Sequence, residues 1–115
     1  MITEQEALCY IRMTLRQHNY PSLVVCFEDQ LAIKHSMGLF WWGDIVAIEL
    51  KKEILSSFAL FRHVFLHEFA HALDHKERGT LTLNGRRNAH GANFNKWCKR
   101  LNIQKGAFVP RKLLA

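Results

Sequence analysis

The sequence predicts an α+β fold: a helix, a small antiparallel sheet of three or four strands, a buried helix packed beside that sheet, and a closing helix. Three observations carry this prediction. Residues 3–17 open with a capping pattern and continue with an apolar stripe at helical spacing. Residues 23–50 break into short apolar and β-branched runs separated by polar or glycine positions. Residues 57–76 are apolar nearly all round, over a span too long for a strand.

The first helix is predicted over Glu4 to Gln17. Thr3 is a good N-cap residue, and Glu6 three positions on completes a capping box. Leu8, Ile11 and Leu15 supply the apolar stripe, and Asn19-Tyr20-Pro21-Ser22 ends the element. Strand-like runs follow at Leu23 to Phe27, Leu31 to Lys34, Phe40 to Trp42 and Ile45 to Leu50. Glu28-Asp29-Gln30, Gly38 and Gly43 punctuate them, and an antiparallel meander is the simplest arrangement.

The second helix is predicted from Ser57 to Lys76. Phe58, Leu60, Phe61, Val64, Phe65, Leu66, Phe69, Ala72 and Leu73 cover nearly its whole circumference, which places it in the middle of the molecule. Gly79 suits its C-terminal stop, and Lys76 and Arg78 suit the negative end of its dipole. Thr80 to Asn88 reads as a polar loop. The last helix is predicted from Ala92 to Asn102, burying Phe94, Trp97, Cys98 and Leu101 at i, i+3, i+4 and i+7.

The chain has 115 residues, the size of one domain, and is read as a single domain over 1–115. With 49% hydrophobic residues it can bury a core. Its apolar stretches are broken by charged residues well short of the roughly 18 positions a membrane span needs, so no membrane association is expected. The acidic N-terminus lacks a basic, then apolar, secretory pattern. Cys9, Cys26 and Cys98 are odd in number and far apart, which excludes a disulfide scaffold and a cysteine-based zinc ribbon. The expectation is a reducing, cytoplasmic location. The net charge of +6 is compatible with DNA as a partner, and equally with an ordinary basic surface.

The chemistry is concentrated in His67-Glu68-Phe69-Ala70-His71. Four residues turn a helix about 40° past a full revolution and advance it about 6 Å, so both imidazoles can meet at one zinc ion. Glu68 then fits the general base, taking a proton from a zinc-activated water as it attacks a carbonyl. The surrounding helix offers no polar face, so these three groups would be buried, and a metal would satisfy them. A catalytic zinc needs a third protein ligand and one open position. His90, on a separate element, closes the site better than His75, because His67, His71 and His75 on one helix drift about 80° and spread over about 12 Å. His75 reads as a helix-end or supporting group, and His63 as core or supporting.

Combined with His90-Gly91-Ala92-Asn93-Phe94-Asn95-Lys96-Trp97, the motif resembles the SprT-like metalloprotease family, which shows H-E-x-x-H-A followed by H-G-x-x-F-x-x-W. Arg62 to His71, and more weakly Gly38 and the strand Ile45 to Leu50, share the family's look. The resemblance covers residues 38–101 and implies the catalytic core alone. It implies a zincin-like fold, Zn2+ held by His67, His71 and His90, Glu68 as catalytic base, and a protein or peptide substrate. Some members cleave proteins crosslinked to DNA.

The leading expectation is therefore a zinc metallopeptidase, with DNA-bound proteins as candidate substrates. The alternative is a non-proteolytic, zinc-stabilised module that binds DNA or protein. The same chemistry also permits hydrolysis of a non-peptide amide. Phe40-Trp41-Trp42 reads either as a substrate-facing or base-stacking wall or as hairpin residues covering the sheet. Arg86-Arg87 with Lys96, Lys99 and Arg100 reads either as a phosphate patch or as a solvated face. Arg62, His63, His75 and Tyr20 are candidates to assist at the oxyanion.

Overall fold

The computed structural model describes residues 1–83, 86–105 and 109–114, with Arg87 described in its backbone only. Helix α1 spans Glu4–Gln17. The capping box forms: Thr3 Oγ1 accepts from the Glu6 N–H and Glu6 Oε1 accepts from the Thr3 N–H, both at 3.0 Å. Ala7, Ile11, Thr14 and Leu15 are its buried face. The stripe thus runs through Ala7 where the sequence suggested Leu8, which is only partly buried.

Three strands follow: β1 (Val24–Glu28), β2 (Gly38–Trp41) and β3 (Ala47–Lys51). They form one sheet in the order β1-β3-β2. This corrects the antiparallel meander, because β1 and β3 pair in parallel and only β2 and β3 are antiparallel. Ile48 and Leu50 of β3 are fully buried in the core, and β3 is the central strand. Residues 31–34 do not form a strand. They lead into His35, whose left-handed φ of 72° cannot continue an extended run. The stretch from β1 to β3 is therefore a crossover that carries β2 to the sheet edge.

A short 3-10 turn over Lys52–Ser56 delivers the chain to α2 (Phe58–Arg78). Ser57 caps its start by accepting from the Leu60 N–H. Gly79 ends it with φ 77°, a left-handed conformation open to glycine at little cost. Along α2, Phe61, Phe65 and Phe69 stack at i, i+4 spacing, with centroids 5.9 and 5.8 Å apart. Tyr10 of α1 meets Phe61 and Phe65 edge-on, locking α1 to this row. A second row of α2, His63, His67 and His71, faces away from that core contact.

The loop predicted over Thr80 to Asn88 contains a small antiparallel pair, β4 (Thr82–Leu83) and β5 (Arg86–Arg87). Helix α3 spans Ala92–Arg100 and buries Phe94 and Cys98 against α2, with Trp97 partly buried. A 3-10 turn over Arg111–Leu113 follows. Among the described residues no helix is long and apolar enough to cross a membrane.

Candidate metal centre

His67 and His71 project from the same side of α2 because they lie one turn apart, and both are buried. His90 arrives from the turn between β5 and α3 and is exposed. One ring nitrogen from each of the three lies within 4.8 Å of the others, a group able to hold a metal ion. Phe94 forms the floor. It stacks on His71 at 4.3 Å and meets His67 and His90 edge-on at 5.1 and 5.0 Å.

The turn that carries His90 is fixed from below by Asp74, a fully buried carboxylate. Arg78 donates to both Asp74 oxygens, at 2.6 and 2.9 Å, and Asn93 Nδ2 donates to Oδ1 at 2.8 Å. Arg78 also donates to the carbonyls of Thr82 and Asn88. The end of α2, the β4–β5 pair and the start of α3 are thus tied through one carboxylate. Gly91 completes the turn: a Cβ there would stand 2.2 Å from Asn88 Oδ1.

Glu68 lies beside the histidines, its Oε2 4.0 Å from His67 Nε2. The edge strand presses directly on it, since a Cβ on Gly38 would fall 2.9 Å from both Glu68 Cγ and Val64 Cγ1. A glycine is the residue that lets β2 come this close to α2.

The family model described as SprT-like matches residues 8–112. The chain belongs to the SprT-like family. Among curated proteins and among solved structures, none matches it.

The electrostatics of this SprT-like site follow from its burial. Burial, then the neighbouring charges of His90 and His63, push the His67 ring down to about 4. The ring is therefore neutral at pH 7 and its lone pair is available to a metal. Burial alone pushes the Glu68 carboxyl up to about 8. Without a metal, His67 and Glu68 are both uncharged at pH 7, so their 4.0 Å approach is not an ion pair. Three imidazole side chains fit the donor set of zinc and of other borderline divalent ions.

The other sequence candidates lie elsewhere. His75 is not in the metal group; it packs between Phe40 and Trp42, with centroids 5.8 and 5.6 Å away. His63 is buried one turn before His67, and its Nε2 has no partner among the described residues. Arg62 donates to the Leu101 and Asn102 carbonyls at the end of α3, and Tyr20 lies beneath Lys76. Neither offers a donor to the site. Lys96 is paired with Glu77 at 2.6 Å, and the Arg87 side chain lies outside the described residues.

Two cavities open over Glu68. One, of about 420 Å³, is walled by Phe40, Trp41, Trp42 and Leu81 and reaches His71 and His90. Of the aromatic run, Phe40 and Trp42 flank His75 of α2, while the Trp41 indole turns to Glu49. The other, of about 450 Å³, lies beside His63, Lys34 and His35. A second cluster, Cys26, Glu28 and Glu49 on the outer sheet face, stands apart, and its Glu49 already accepts from the Trp41 indole.

Asp74 was not singled out from sequence, and Gly91 entered only as part of the motif that begins at His90. Asp74 did leave a signal: an acid near the C-terminal end of an apolar helix opposes the dipole, so it needs a partner, and Arg78 stands at i+4.

Proposed function

We propose that this protein is a zinc metallopeptidase that hydrolyses peptide bonds with Glu68 as general base. One observation carries the reading: three imidazoles from two elements converge next to a buried carboxylate, at the junction of two open cavities. A site built only to stabilise the fold has no use for that carboxylate or for that access.

His67, His71 and His90 would hold the zinc. The ion would supply a Lewis acid for the scissile carbonyl and lower the pKa of a water. Glu68, next to a bound dication, is drawn back to its ionised form despite its burial. Its carboxylate takes a proton from the attacking water and delivers it to the leaving amine nitrogen. Phe94 and the Asp74 network keep the rings in place, so the site is organised before substrate arrives. An edge strand bordering the helix that bears the motif supports a zincin-like arrangement. The net charge of +6 supports DNA-bound proteins as substrates.

The test is metal content and casein cleavage in wild type, Glu68→Gln and His90→Ala, with and without single-stranded DNA. Wild type should bind one zinc and cleave. Glu68→Gln should keep the zinc while the rate falls about 10²- to 10⁴-fold. His90→Ala should lose the metal. Zinc binding without cleavage under any condition would instead favour a binding module.

A further inference from the structure

The two cavities share Ser36, Gly38, His67 and Glu68 in their walls, so they form the two arms of one cleft that meet at the proposed base. Strand β2 runs along this cleft at the sheet edge, with β3 on its other side. Its four residues span roughly 13 Å, enough to border about four residues of an extended chain. The edge of β2 away from β3, unpaired among the described residues, can hydrogen-bond such a chain through backbone groups.

The arms differ in charge, since Lys34 lies in the wall of one of them alone. One is walled by Ile33, Phe40, Trp41, Trp42 and Leu81. The other carries the exposed Lys34 and His35 alongside Met37, Val64, Val109 and Leu114. Glu68 is the sole acid in either wall among the described residues. Lys34 and His35 form no ion pair among the described residues. A neighbouring carboxylate would be drawn to this arm, and nothing in its wall repels one. His35 is held at a φ of 72°, a conformation that costs a non-glycine residue energy and fixes its place on the rim.

We infer that the cleft selects an extended peptide with a bulky apolar side chain on one side of the scissile bond and an acidic side chain on the other. This rests on the peptidase reading and names its substrate class. The aromatic arm takes the apolar side chain by burial, and the basic arm takes the carboxylate by charge.

The experiment uses quenched fluorescent peptides of one length. Each carries Phe on one side of the central bond and Glu, Gln or Lys on the other, in both chain orders. In one order, the Phe/Glu peptide should exceed the Phe/Lys peptide at least 10-fold in kcat/KM. The double substitution Lys34→Glu, His35→Glu should reverse that preference. In parallel, non-cleavable N-methylated versions are titrated into metal-free protein, read by tryptophan fluorescence. The Glu version should bind at least 10-fold more tightly than the Lys version. Cleavage of all peptides at similar kcat/KM, with no difference in binding, overturns the inference and leaves the peptidase reading standing. If casein and every peptide resist cleavage, the peptidase reading fails and the binding titration alone decides the inference.

Discussion

Glu68 is the residue whose surroundings matter most. Its carboxyl is held near 8 in the fold against 4.5 when exposed, so its contribution to stability is complete below pH 4.5 and lost as pH rises through 8. His67 works the other way: its ring sits near 4 against 6.5, so its contribution is present above pH 6.5 and lost as pH falls through 4. Of these two groups, only Glu68 changes stability between pH 6.5 and 8. Metal-free wild type should therefore lose Tm across that window, and Glu68→Gln should stay flat by comparison. Gly38 is the second critical residue. Gly38→Ala forces a methyl to within 2.9 Å of a β-branched side chain and of Glu68 itself. Overpacking of this kind should cost about 1–3 kcal/mol in denaturant unfolding. It should also lower kcat in the casein assay, because the displaced side chain is the proposed base.

Among the elements, α2 and the His90 turn divide the work. The helix supplies two rings at fixed spacing, while the turn supplies a third ring that depends on Asp74. Asp74→Ala would leave Arg78 and Asn93 without their shared acceptor. The expected cost is about 3 kcal/mol of stability. Zinc affinity, measured by competition with a chelator, should fall about 10- to 100-fold. The helices were legible in the sequence because each announces itself locally: Thr3 with Glu6 opens α1, Ser57 and Gly79 bound α2, and Phe94 with Cys98 marks the inner face of α3. The convergence of His67, His71 and His90 was legible for a related reason, since two of them share a helical face. The parallel pairing of β1 with β3 was not legible, because the apolar pattern of a five-residue strand says which face is buried and not which neighbour it pairs with. Asp74 lies in between: its helical partner is local, but Asn93 lies nineteen residues away.

At the scale of the molecule, binding of zinc to the folded state alone should shift unfolding by mass action. At a hundredfold excess over Kd the gain is about 2.7 kcal/mol, or about 10 °C in Tm for a chain of this length, and calorimetry with and without chelator would show it. The shift should vanish in His90→Ala. The crossover from β1 to β3 bears on how such a molecule diversifies. Residues 29–36, at its start, form part of the rim without belonging to the sheet, and the parallel pair they connect is complete without them. Lengthening such a connection costs little chain entropy, about 0.6 kcal/mol per doubling. Insertions there would remodel what enters the cleft while every backbone bond of the sheet survives. The shape of the cleft can therefore change with loop length, while the helix that carries His67, Glu68 and His71 stays as it is.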